Sequence, residues 1–411
     1  MPAAEPYHPR RHAAAWTDDY VFHQLIPYIG NKRKLLGLIG QAVASTQPAP
    51  GAAIADLFAG SGVVARHLKG IGHRVIANDW EPYTRPINTC AVACDAPPAF
   101  AALGGYAAAI AALNALPPRE DWVTRTLCPA NDAAPDPTVE RLFFMRKNGL
   151  RIDAIRHQIA QWRAAGQVDG IEEACLLAPL LYQACYASNT SGVFKGFHHG
   201  WGGQTGTALY RIAGDLALSP ARFHRAAGPC LVWQRDALEA ARALAADPPH
   251  AVYLDPPYNQ HPYASNYHVL NSIALWDKPD TPPAHTPGAK AAIRTDWRAA
   301  RRSPYNHRTQ ATAAYAELLG AIPSRWVLTS YSTEGIIPLR ELLDINAARG
   351  GLRLFLRPYK RYRVSSQRYS AKPRNIEFVL VLDTQAPRHR DVAGLMGRLE
   401  AAEQALSPAS S

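Results

Sequence analysis

Apolar residues recur along this chain in two rhythms, and the alternation of those rhythms predicts a parallel sheet covered by helices. Short apolar runs at 54–58, 75–78, 231–234, 251–254 and 326–330 read as strands buried on both faces. Elsewhere apolar residues return every three or four positions, as on a helix packed by one face. Residues 32–43 do so through Leu35, Leu36, Ile39 and Val43, and residues 100–116 through Phe100, Leu103, Tyr106, Ile110 and Leu113. Ile152, Ile155, Ile159 and Trp162 form another stripe, and 171–186 reads as a more deeply buried helix. Near the C-terminus, 352–356 and 375–382 predict two further strands. The loop joining them holds Lys360, Arg361, Arg363, Arg368, Lys372 and Arg374, a candidate phosphate-contact surface.

The fold class expected is therefore α/β. Residues 95–228 separate the second strand from the third, far more chain than a crossover needs, and predict an inserted, mainly helical subdomain. The sheet domain would then comprise 25–94 and 229–385, preceded by a flexible N-terminus at 1–24 and followed by a C-terminal helix and loose tail at 386–411. A smaller insertion, 259–307, is rich in Pro, Arg, His, Asn and Tyr.

With 411 residues, 47% of them hydrophobic, the chain can bury a sizeable core. Its 44 Lys and Arg against 33 Asp and Glu leave a net charge of +11, which favours an anionic partner. Nucleic acid leads, because neutralising phosphates releases counterions. An Arg-rich composition inherited from a GC-rich genome would look the same, so charge alone leaves the two readings level. Cys90, Cys94, Cys128, Cys175, Cys185 and Cys230 lack metal-ligand or redox spacing and read as reduced thiols. No signal peptide is evident, and 100–116 is too rich in Ala and Gly for a membrane span, so a cytoplasmic protein is expected.

Candidate chemistry sharpens this picture. Gly60 and Gly62 follow a strand and precede a helical pattern, where glycine lets the backbone turn and approach a ligand. Asp79 ends the next strand, placed either to bind two ribose hydroxyls or to cap a helix. No Lys-Ser or Lys-Thr follows the glycines, so a nucleoside fits better than a phosphate chain. Asp255-Pro256-Pro257-Tyr258 follows a buried strand, and its two prolines force the chain out of the sheet at the edge where such sheets bind ligands.

Taken in order, these motifs resemble the DNA adenine N6-methyltransferases of the D12 class, the group that includes the Dam methylases. Residues 27–32 look like the first cofactor motif, which implies Tyr28 and Lys32 beside the methyl donor. The resemblance implies a Rossmann-like S-adenosylmethionine-dependent methyltransferase sheet. It assigns Asp56, Phe58, Gly60 and Gly62 to the cofactor loop, Asp79 to the ribose, Asp236 to the cofactor's adenine, and Leu328-Thr329-Ser330-Tyr331 to the target pocket. Asp255 to Tyr258 would be the catalytic motif, and the motif order marks the alpha group with target recognition in the insertion. The exocyclic amine of adenine is a poor nucleophile because its lone pair is delocalised. Hydrogen bonds from N6 to the Asp255 carboxylate and the Pro256 carbonyl would localise that pair, with Tyr258 stacked on a flipped base.

Implied partners are double-stranded DNA and a cognate restriction endonuclease acting on the same site, with a monomer expected. Asn189, Lys195 and His198, in the glycine- and aromatic-rich stretch 188–203, are candidate DNA contacts; so are Asn259, Tyr263, Asn266 and Tyr267 after the catalytic motif, and Arg361 and Arg363. The stretch 188–203 could instead be a structural loop whose aromatics only pack, and the residues after the catalytic motif could equally be loop scaffold. No metal is expected, since His198 and His199 lack a third ligand at helical spacing. Three alternatives stay open: N4-cytosine methylation, made less favoured by Asp255 where those enzymes usually carry Ser; methylation of RNA; and a silent DNA-binding regulator on the same fold.

Overall fold

The computed structural model describes residues 18–203, 206–282, 284–285, 294, 296–360 and 374–405. The apolar runs form β1 (Ala53–Asp56), β2 (Arg74–Asn78), β3 (Leu231–Trp233), β4 (Ala251–Leu254) and β5 (Trp326–Ser332). They are joined by β6 (Gly351–Lys360) and β7 (Arg374–Asp383) in the order β3-β2-β1-β4-β5-β7-β6. Pairing is parallel from β3 to β5. The expectation of a parallel sheet needs correction at one edge, because β7 runs antiparallel between β5 and β6. Consecutive strands paired over their whole length form a hairpin, and a hairpin can join a sheet only with one strand reversed. Lys360 and Arg374, expected in the connecting loop, instead pair with each other at the strand ends.

Side chains alternate between the two faces with period two. Ala55, Leu57, Val252, Leu254, Phe378 and Leu380 pack on one face against helices Ala311–Ala321 and Leu339–Ala347. Ile54, Val75, Tyr253, Leu328, Val379 and Val381 pack on the other, with Leu36–Ala44 and Val63–Gly70. The C-terminal helix Val392–Gln404 adds Leu395 and Leu399 to the first face.

Residues between β2 and β3 are helical and build a third core. Its main elements are Arg146–Ala164, which buries Ile152, Ile155 and Ile159, and Gly170–Ala187, started by an Asp169–Glu172 capping box. The helix expected over 100–116 is divided, because Gly104 and Gly105 take positive φ and leave only a short turn before Tyr106–Asn114. The third core also takes in Tyr267, Val269, Leu270 and Ile273 from the second insertion. Arg156 donates to Ile273 O, Phe194 N to Asn266 O at 2.7 Å, and Trp122 Nε1 to Pro279 O at 3.0 Å. Among the described residues, no helix is long and apolar enough to cross a membrane.

Candidate active site

The chain switches direction across the sheet between β1 and β4, and the crevice at their carboxyl ends is where an open α/β sheet holds ligands. A cavity opens there. Asp56 ends β1, Asp255 follows β4, and both line it together with Tyr28, Lys32, Phe58, Asp79, Trp80, Glu81, Asp236, Tyr263, Arg301 and Tyr305.

The glycine loop is shaped by its neighbours. Gly60 has φ +50°, and a Cβ there would lie 2.8 Å from the Tyr28 hydroxyl; Tyr28 itself stacks on Tyr263 and Tyr267 at 5.2 and 5.1 Å. Gly62 has φ +79° and starts the helix Val63–Gly70. A Cβ on Gly62 would meet Asn88 Oδ1 at 2.4 Å, while Asn88 Nδ2 donates to Gly60 O.

Asp79 accepts hydrogen bonds from Gly60 N at 2.8 Å and Glu81 N at 2.9 Å, so it fixes the loop as well as lining the cavity. Burial pushes its carboxyl up to about 6, and burial pushes Glu81 up to about 7 despite the nearby Arg301. Asp56 is raised well above the usual range by burial and then by Asp255. Asp236 lines the cavity and also caps the helix Ala237–Ala243, accepting from Leu238 N at 2.8 Å.

Lys32 is 3% exposed, and its ammonium lies 3.1 Å from Asp255 Oδ1 and 3.6 Å from Glu377 Oε2. Burial alone would lower its pKa, but Asp255, Tyr258 and Glu377 hold it well above the usual lysine value. The ammonium also sits 4.8 Å from the centre of the Tyr258 ring, which meets Tyr331 edge-on. Burial lifts Asp255, and Lys32 opposes that lift. Pro257 lines the cavity and Pro256 is buried beside it.

Other expected site residues fall elsewhere. Asn189 is fully buried, with Nδ2 donating to His198 O and Oδ1 accepting from Gly202 N, so its amide organises its own loop. Asn266 and Tyr267 also face inward; the Tyr267 hydroxyl accepts from Ile29 N at 2.8 Å. Tyr263 belongs to the cavity wall, its hydroxyl donating to Ile29 O at 3.1 Å. Thr329, Ser330 and Tyr331 are buried within β5, away from the cavity lining. Lys195 is exposed, His198 is half-buried against Ser191, and Asn259 is half-buried with Oδ1 turned back to His261 N. Arg361, Arg363, Arg368 and Lys372 lie outside the described residues.

Three features escaped the sequence reading. Glu377 and Arg301 are two of them; Arg301 donates to Trp80 O and faces the Trp80 and Trp297 rings. The third is an exposed aromatic row: Tyr182 stacks on Tyr186, with Tyr210 alongside at 73% exposure.

The donor set suits an unphosphorylated nucleoside bearing a positive charge. Carboxylates ring the cavity, Phe58, Trp80 and Tyr305 supply ring faces, and the lysine within it is already matched by two acids. S-adenosylmethionine has that chemistry, and a glycine turn that admits no Cβ gives it a close backbone approach.

Comparison with known proteins agrees. The profile of the D12 class N6 adenine-specific DNA methyltransferases matches residues 28–286. The type II methyltransferase M.NlaIII of Neisseria lactamica is 30% identical over 340 residues, covering 82% of this chain and 92% of that protein. M.CviAII, a type II methyltransferase of Paramecium bursaria Chlorella virus 1, is 26% identical over 342 residues, covering 82% and 93%. M.FokI of Planomicrobium okeanokoites is 26% identical over 339 residues, and the chain spans about half of it, 49%. A cavity whose chemistry suits a cationic nucleoside at the β1–β4 switch point, lined mostly by residues of a segment that matches the family over most of the chain, leads to one assignment. This protein belongs to the D12 class of N6 adenine-specific DNA methyltransferases, enzymes that transfer the methyl group of S-adenosylmethionine to the N6 amine of adenine in DNA.

Proposed function

We propose that the chain methylates adenine within one specific DNA sequence as the modification half of a restriction–modification pair, on a base flipped out of the duplex. The observation that carries the reading is the place of Asp255: its side chain is 18% exposed, recessed in the cavity and set against a buried lysine. A base stacked in a duplex cannot reach a recessed carboxylate, so flipping is required. In this reading Asp255 and the Pro256 carbonyl accept hydrogen bonds from N6 and concentrate its lone pair, and Tyr258 stacks on the base. S-adenosylmethionine would supply the methyl group from its sulfonium, leaving a neutral thioether, while the amine gives up one N6 proton to solvent.

Asp56, Phe58, Gly60, Gly62, Asp79 and Asp236 hold the cofactor, together with Tyr28. Residues 95–228 carry target recognition, and Lys195, His198 and the exposed tyrosine row contact the duplex. Support for the modification role comes from the relatives, among them the modification methylase LlaI of Lactococcus lactis subsp. lactis. Single-molecule sequencing of DNA from a host expressing the chain tests this. N6-methyladenine in a single sequence context is expected, and none with Asp255→Asn, whose DNA binding should stay near wild type. Methylation that persists in Asp255→Asn would overturn the role given to that carboxylate.

A further inference from the structure

β7 carries an acid where its pattern calls for an apolar residue. Ile376, Phe378, Leu380 and Leu382 face one core, and Val379 and Val381 the other; Glu377 occupies the next position on that second face and is 3% exposed. A carboxylate buried at a strand position costs several kcal/mol unless it is paired. Its partner is Lys32, which reaches the same spot from the turn after Gly30 and bridges Glu377 to Asp255. Glu377 also lies beyond the segment, 28–286, that matches the family profile.

We propose that Glu377 is a positioning residue for methyl transfer, anchoring the Lys32 ammonium behind Asp255 so that Asp255 stays ionised and one of its oxygens remains for the target amine. The proposal rests on the reading of Asp255 as the amine's acceptor. A lysine side chain is long and rotamer-rich, so one counter-ion holds its ammonium only loosely. With Asp255 as its sole counter-ion, Lys32 would hold its place only loosely and would no longer stand fixed behind that carboxylate. Glu377 supplies a second counter-ion from deeper in the sheet. The ammonium meets Asp255 Oδ1, which leaves Oδ2 for N6. Other groups facing the triad are Asp56 from β1, Tyr253 and Tyr258 flanking Asp255, Tyr263 from the second insertion, and Glu334 beside Glu377. None of them changes in the variants below.

The sign of the pH effect separates positioning from simple electrostatics. Removing a negative charge near Asp255 would, by itself, make that carboxyl more acidic. Releasing Lys32 has the opposite effect, because burial then raises Asp255 unopposed. Single-turnover methyl transfer should therefore slow about tenfold in Glu377→Gln, with its acid limb displaced to higher pH. Equilibrium affinity for S-adenosylmethionine and for DNA should stay within about threefold of wild type. Glu377→Asp should restore part of the rate and the position of the limb. In a Lys32→Met background, Glu377→Gln should have no further effect on the rate.

An acid limb that stays in place or moves to lower pH overturns the proposal, as does a full loss on top of Lys32→Met. Should Glu377→Gln not fold, Glu377→Asp decides alone: a rate and limb equal to wild type at lowered thermal stability would make Glu377 a structural counter-ion. Asp255→Asn, run alongside, separates the two readings. If it transfers methyl groups, the premise about Asp255 fails; if it is inactive while Glu377→Gln behaves as wild type, only the positioning role fails.

Discussion

Gly62→Ala should damage the loop after β1, the proposed cofactor loop, out of proportion to its size. The residue has φ +79°, a left-handed conformation that costs a residue with a side chain roughly 1–2 kcal/mol. The new methyl would lie 2.4 Å from Asn88 Oδ1, so Asn88 must move. Asn88 is 2% exposed and its Nδ2 donates to Gly60 O at 3.2 Å and Thr84 O at 3.0 Å. Leaving one buried amide unsatisfied costs about 1–3 kcal/mol, and the two effects together come to about 2–5 kcal/mol. Because Gly60 lines the turn against Tyr28, freeing its carbonyl should also cost about tenfold or more in cofactor affinity. Gly37→Ala is the control: nothing lies within 4 Å of its Cβ position, and alanine there should stabilise by about 0.4–1 kcal/mol. Urea unfolding at constant m-value, with cofactor titration followed by tryptophan fluorescence, reads both quantities. If Gly62→Ala lay within about 0.5 kcal/mol of wild type and bound cofactor normally, the loop geometry argued above would be wrong.

Two further variants test separate parts of the molecule. Glu81 has a pKa raised from 4.5 to about 7 by burial, so its ionised form is disfavoured in the fold and stability falls as pH rises through that window. Glu81→Gln removes that dependence: denaturant midpoints should show the variant gaining on wild type between those limits, and a constant difference would refute the assignment. Tyr210→Ala, which removes an exposed ring, should weaken DNA binding several-fold in a fluorescence-anisotropy titration and leave cofactor affinity unchanged; unchanged DNA affinity would remove the tyrosine row from the interface.

How much of this was legible in the sequence depends on how local each signal is. Asp255 to Tyr258 could be read because two prolines after an apolar run leave one backbone route, out of the sheet edge. Gly60, Gly62 and Asp79 could be read because the conformations and strand end that give them meaning are set by near neighbours. The destination of Lys32 could not, since both of its partners come from strands far along the chain. Glu377 was visible as a lone acid among apolar residues, but its meaning depends on β7 running antiparallel into the sheet, which no local pattern states. Asn189, Asn266 and Tyr267 were placed outside because amides and rings in an irregular loop carry no periodicity to tell inward from outward. Gly104 and Gly105 divided a helix whose apolar spacing ran straight through them.

The helix His268–Leu275 comes soon after Asp255–Tyr258 in the chain, yet it is built into the core formed between β2 and β3, tied there by Arg156 to Ile273 O, by His268 to Phe194 O and, just past its end, by the Lys278–Asp121 ion pair at 2.6 Å. The two insertions thus share one core, and each is joined to the sheet at both of its ends, the second of them starting directly behind Asp255. Anyone exchanging sequence preference between relatives would have to transplant both segments together. On the proposed reading that 95–228 carries target recognition, a graft of that segment alone would leave mismatched packing next to Asp255. On the same reading, the shared core is the route by which a poor fit to DNA would reach the geometry at Asp255.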